Sequence, residues 1–174
     1  KANNRLNRRN QYLNYGLLSL ASVLKRSGLL PIVIHGHFSA PNETLKTALT
    51  YGLAESSLPV LLSIPSFYAV AWAREFMAEA KALLPSLRFI VGGRWVIGNR
   101  PDLLKGLLPE ADLIIPGLAE DRIVGLLTGA KVLHVGNAPK GLSNASCLDY
   151  SLLHHRHLYQ PSIEIARGCG MGCS

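Results

Sequence analysis

The 174 residues, 48% hydrophobic and 17% charged, suit one compact domain with a little chain to spare; they are too few for two full-sized domains and too apolar for a disordered chain. The longest apolar stretches, Leu58–Ile64 and Phe67–Ala73, fall far short of the roughly 20 residues of a membrane span, and the polar start Lys1–Asn10 has no leader pattern, so no membrane partner is expected. The +7 charge is concentrated early, in Lys1, Arg5, Arg8 and Arg9 with no acid before Glu43; without interleaved aromatics this reads as a solvated tail, and no nucleic-acid partner is expected.

Three cysteines are too few for a disulfide framework, which points to a reducing, cytoplasmic setting. Along the chain, Leu13, Leu17, Leu20, Ala21 and Leu24 recur at helical spacing and stop at Gly28. Leu30–Ile34 is a short β-rich run entering His35, Gly36 and His37. Asn42 is positioned to cap a second helix, Glu43–Leu53, and Val60–Ile64 is the next strand. Tyr68–Leu84 carries Ala69, Trp72, Ala73, Phe76, Met77, Ala80, Leu83 and Leu84 on one face, the clearest helix of the chain. Then come a strand at Leu87–Val91 closing on Gly92 and Gly93, a helix at Asp102–Leu108, a strand at Asp112–Ile115, a helix at Glu120–Leu127 and an extended piece at Lys131–Val135.

Alternation of nearly continuous apolar strands with amphipathic helices predicts an α/β fold, a flavodoxin- or Rossmann-like parallel sheet with helices on both faces. The strands run into Gly, Pro, Ser or His, and ligands of open α/β sheets bind at that carboxyl edge. From Asn137 the chain changes character: Asn137–Ser146 is a polar linker, Leu148–Tyr159 is short and His-rich, and Pro161–Ala166 reads as a new strand. The division expected is an α/β domain over 1–136, a linker over 137–160 and the start of another domain over 161–174.

The final residues carry the sharpest chemistry. Cys169 and Cys173 lie among Gly168, Gly170 and Gly172, and thiolates in such a loop are soft ligands for an iron–sulfur cluster or zinc. The string Ser162–Ser174, with Cys169-Gly170-Met171-Gly172-Cys173, resembles the opening of a radical S-adenosylmethionine (SAM) domain, where the first barrel strand leads into Cys-x3-Cys-x2-Cys. The upstream part is similar to the cobalamin-binding-type domain preceding that barrel in one branch of the superfamily. Tyr15–Gly28 looks like its first helix, Ser63-Ile64-Pro65-Ser66 falls at the third-strand loop, Val91-Gly92-Gly93 at the fourth-strand turn, Gly117-Leu118-Ala119-Glu120 at the turn after the fifth, and Leu148–Leu153 at the connector.

The resemblance implies that Cys169 and Cys173 are two of three ligands to a 4Fe–4S cluster at which the parent enzyme cleaves SAM to a 5′-deoxyadenosyl radical, with methyl transfer from cobalamin in some members. Its implied partners are a small-molecule cofactor, an unidentified substrate and the C-terminal barrel of the same polypeptide. On this register the third thiol would be the second residue beyond Ser174, so two thiolates alone are not expected to hold a stable cluster and this chain by itself is expected to be inactive. For cobalamin the candidates are Ser63 and Ser66, whose hydroxyls suit the nucleotide tail, with Gly92, Gly93 and Gly117, where a flat ligand can approach backbone. All five are equally ordinary strand-ending turn residues. Trp95 either flanks such a pocket or covers the sheet edge.

Two departures from the family stand out. The family's first central strand has no counterpart, because Lys1–Asn10 is too polar; it lies upstream, or Leu30–Ile34 pairs directly with Val60–Ile64. The Asp-x-His-x-x-Gly motif that ligates cobalt in the methionine-synthase type is missing too. His35 and His37 read as a solvated pair, zinc at His154, His155, His157 and Cys147 matches no common spacing, and Glu120 with Asp121 reads as helix capping. Two alternatives remain: a non-catalytic flavodoxin-like module binding a ligand or partner, and a methylthiotransferase, disfavoured because only Cys147 precedes Cys169.

Overall fold

The computed structural model describes residues 13–36, 39–96, 101–117, 119–120, 122–129 and 148–159. The basic lead-in, His37, Asp121, the stretches 131–135 and 137–146, Cys147, the strand expected at 161–166, Cys169 and Cys173 lie outside the described residues.

The first helix, α1 (Tyr15–Arg26), opens under an Asn14 cap, whose side chain accepts from the Leu17 N–H. It closes at Gly28 as its spacing predicts: the Leu29 N–H reaches the Leu24 carbonyl and the Gly28 N–H that of Lys25, the paired bonds of a Schellman end. Helix α2 (Pro41–Thr50) starts two residues ahead of the expected Glu43. Pro41 takes the first helical position, where its missing N–H costs nothing, so Asn42 falls inside the helix; Glu43 instead folds back to accept from the Ala40 N–H at 3.2 Å.

Strands β1 (Val60–Ser63), β2 (Phe89–Gly92) and β3 (Leu113–Ile114) form a parallel sheet in that order. Val60 stands opposite Phe89, Leu62 opposite Val91, and Val91 opposite Ile114. The crossovers run through α3 (Ala69–Leu83) and α4 (Pro101–Leu107). The period-2 alternation of the strands then assigns two faces. Val60, Leu62, Phe89, Val91 and Ile114 pack with α2, α3 and α4, around buried Phe76, Met77 and Leu108. Leu61 and Ile90 pack on the opposite face with Leu24 of α1 and Ile123 of α5 (Ile123–Thr128). The fold is therefore α/β, with helices against both faces of an open parallel sheet.

Of the two alternatives for the family's first strand, the direct pairing of Leu30–Ile34 with Val60–Ile64 does not occur. Among the described residues β1 is an edge of the sheet, and Val33 makes a parallel bridge to Leu153 instead. Between that extended segment and β1 lies a groove of about 290 Å3, walled by residues that include Ile32, Ile34, Leu61, Trp72 and Phe76. The Thr44 hydroxyl in its wall is buried without a hydrogen-bond partner.

Residues 148–159 are part of the packed body. Leu152 and Leu153 are buried against Leu18, Ala21 and Val33, and the Asp149 N–H donates to the Ser22 hydroxyl at 2.9 Å. Lys25 and Asp149 pair at 2.5 Å on the outside of the same junction. Among the described residues no helix is long and apolar enough to cross a membrane.

Candidate functional site

The parallel strands all end on one side, and α1 begins there. A cavity of about 980 Å3 opens at that carboxyl edge, at the upper end of the range usual for small-molecule sites. Its floor is apolar, from Leu61, Ile90, Ile115 and Ile123, and its rim is made by loop residues that follow the strands.

Four of the five residues singled out for cofactor binding, Ser63, Gly92, Gly93 and Gly117, line this cavity. Ser66 does not: it sits in the turn before α3, where its carbonyl accepts from the Ala69 N–H at 3.1 Å. Trp95 is outside the lining as well, tilted against exposed Phe67 with ring centroids 5.8 Å apart.

The glycines are present for different reasons. Gly93 has φ +110°, and a Cβ there would lie 2.5 Å from the Ile64 nitrogen and 2.6 Å from its oxygen. Only glycine lets the β2 turn close onto the end of β1, so the fold alone accounts for it. Gly117 has φ +74° with open space where a Cβ would stand, so its side of the cavity stays clear. Gly92 is intermediate, with a Cβ position 3.4 Å from the Ile115 oxygen.

Polar groups are few and sit at the rim. Asn14, which the sequence reading passed over, donates from Nδ2 to the Ser63 hydroxyl at 3.2 Å while capping α1 with its Oδ1. Its signal was available: an Asn three residues before Leu17, at the start of the first periodic apolar run, is an N-cap signature. His35 lines the opposite wall, and its ring stands 5.7 Å from that of Tyr159, whose phenol burial pushes up in pKa. Arg94 and Glu120 also line the cavity. The expected helix start at Glu120 is corrected: α5 begins at Ile123, and the Glu120 carboxylate serves the turn before it, accepting from the Ala119 N–H at 3.2 Å.

Among the described residues, no group of three or more His, Cys, Asp or Glu side chains is arranged to hold a metal ion. His154, His155 and His157 do cluster, through ring contacts at the connector and not around a common centre. Neither a known protein family, nor a curated protein, nor a solved structure matches the chain.

Proposed function

We propose that this chain is the cofactor-binding lobe of a radical SAM enzyme, a flavodoxin-like domain of the cobalamin-binding type that takes a large, mainly apolar cofactor at the carboxyl edge of its sheet. The observation that carries the reading is the cavity itself: Ser63, Gly92, Gly93 and Gly117, far apart in sequence, converge on one wall system of about 980 Å3 at the edge where parallel α/β sheets bind ligands. The residues fit a corrinoid in kind. The floor is apolar, Gly117 leaves one side open to a flat ring, and Ser63 with Asn14 offers hydroxyl and amide groups to a polar tail. When bound, cobalamin would supply a methyl group or a cobalt-centred electron; the chain's own part is to orient it and keep water from its buried face.

In the parent enzyme, Cys169 and Cys173 would serve as cluster ligands, and SAM would bind at that cluster in the barrel that follows. The support for this half of the reading is the Cys-x3-Cys spacing among glycines, after residues whose pattern predicts a strand.

A second reading, a non-catalytic flavodoxin-like module, is favoured by Gly93, which the contact with Ile64 explains without any ligand. Incubation with hydroxocobalamin followed by gel filtration separates the two. Corrinoid absorbance travelling with the protein, and lost when Gly117 is replaced by a bulky residue such as Phe, supports the cofactor lobe; a colourless protein peak leaves the module.

A further inference from the structure

Two of the contacts that fasten the connector 148–159 to the body respond to acid in different pH ranges. At its start, Lys25 and Asp149 pair at 2.5 Å; the Lys25 ammonium and the Ser151 hydroxyl and N–H hold the Asp149 carboxyl down to about 2, so this fastening keeps its charge through ordinary pH. Further along, the Tyr51 hydroxyl at the end of α2 meets His154 Nδ1 at 2.9 Å, with the two rings edge to face. The His154 ring is in turn stacked on His155 at a centroid separation of 3.7 Å and an interplanar angle of 28°, and His155 lies 5.8 Å from His157.

We infer that the Tyr51–His154–His155 stack is an acid-released clasp: it holds the connector on α2 and on Val33 while His154 is neutral, and lets go when His154 takes a proton.

The surroundings of the stack set the direction. The hollow around it, about 320 Å3, is walled by Ile32 of the extended segment, Tyr51 of α2, and Ser151, Leu152, Leu153, His154, His155, Arg156 and His157 of the connector. Among the described residues, every titratable or charged group in that wall is a phenol, an imidazole or a guanidinium, and no carboxylate in it compensates a new positive charge. A proton on His154 is therefore placed in partial burial, face to face with a second imidazole and close to Arg156. Burial, and then the neighbouring His155, both lower the His154 pKa below its ordinary 6.5. The unfastened connector binds that proton more readily than the fastened one, so the clasp is complete above pH 6.5 and weakens as pH falls from there through the lowered value. His155 is strained in addition: it is the single non-glycine residue with positive φ among the described residues, at +53°, a conformation kept only while its contacts hold it. Directly before the stack, the Val33 N–H donates to the Leu152 carbonyl at 2.8 Å and the His154 N–H to that of Val33 at 2.9 Å, so loss of the stack removes a support adjoining the bridge that ties residues 148–159 to the body.

Amide hydrogen exchange on the full chain, corrected for intrinsic rates, tests this at pH 7.5 and 5.5. Protection at Val33 and His154 is expected to fall about fivefold at the lower pH while that of Val91 in the sheet is unchanged. His154→Gln, which keeps a hydrogen-bonding partner for Tyr51 without titrating, should abolish the fall, and His155→Asn, which tolerates positive φ, should reduce it, since burial still acts on His154. Equal protection of Val33 at the two pH values, or an undiminished fall in His154→Gln, overturns the inference; a parallel loss at Val91 does so as well, since it would mark global unfolding.

Discussion

Asn14 Nδ2 donates to the Ser63 hydroxyl at 3.2 Å, joining the cap of α1 to the last residue of β1 across 49 positions of sequence. One side chain thereby closes a helix, through Oδ1 to the Leu17 N–H, and sets the distance between two walls of the cavity. Asn14→Ala is expected to lower stability by about 1 kcal/mol through the lost cap. Ser63→Ala removes the cross-link alone and should cost less than the loss of the cap. Urea denaturation of both variants measures the difference; equal losses would show that the cap contributes little.

Gly93 and Gly117 line the same cavity with different duties, and alanine substitution separates them. At Gly93 a Cβ meets the Ile64 backbone at 2.5 Å, and backbone cannot swing aside as a side chain does. Gly93→Ala is therefore expected to cost about 2–4 kcal/mol, positive-φ strain added to overpacking. At Gly117 the space is open, and Gly117→Ala should cost about 1 kcal/mol from φ alone. Thermal unfolding of the pair, with corrinoid binding measured on whichever folds, tests both the order and the ligand-facing role of Gly117.

The parts of this fold that were legible in the sequence are those set by local pattern. The face repeated from Ala69 to Leu84 became α3, and the apolar runs at Val60 and Leu87 became β1 and β2 because each ends in small or cyclic residues that stop a strand. Convergence of Ser63, Gly92, Gly93 and Gly117 was legible for the same reason: parallel strands must all end on one side. The pairing of Leu30–Ile34 was not legible. A strand pattern states which residues alternate, not which edge they meet, and Val33 found Leu153, 120 residues away, instead of β1. Helix starts failed where two signals competed, Pro41 displacing Asn42 at α2. The residues 148–159, polar and His-rich enough to read as linker, hide Leu152 and Leu153 in the core, and two apolar residues, one ending a 3-10 turn and one just after it, carry no period.

The packed status of that connector has its own consequence at Ser22. The Ser22 hydroxyl donates to the Leu18 carbonyl at 2.8 Å and accepts from the Asp149 N–H at 2.9 Å, and the residue is buried. Ser22→Ala leaves the Asp149 N–H without its partner in a half-buried place, an expected loss of about 1–2 kcal/mol. Limited proteolysis should then cut the connector faster than the sheet. Cleavage at the wild-type rate would mean that the apolar contacts of Leu152 and Leu153 hold it unaided.

Asp112 gives the sheet an acid dependence of its own. Burial works to raise its pKa, but the Phe89 N–H at 2.7 Å and the Lys81 ammonium at 3.3 Å outweigh it, with Lys105 adding to them, and the carboxyl titrates below its ordinary 3.8. The folded value is depressed, so between it and 3.8 the unfolded chain holds more protons than the folded one. The contribution of Asp112 is thus whole above 3.8 and drains away as pH falls through the folded value. In Asp112→Asn the amide oxygen can still accept from Phe89, while the attraction of Lys81 and the titration are both gone. Its deficit against the wild type, less than about 1 kcal/mol for a half-exposed pair, should be constant above 3.8 and shrink below it. Urea midpoints followed from neutral to strongly acidic pH read this directly; a deficit that stays the same throughout would show that the charge on Asp112 does not contribute to holding β2 and β3 together.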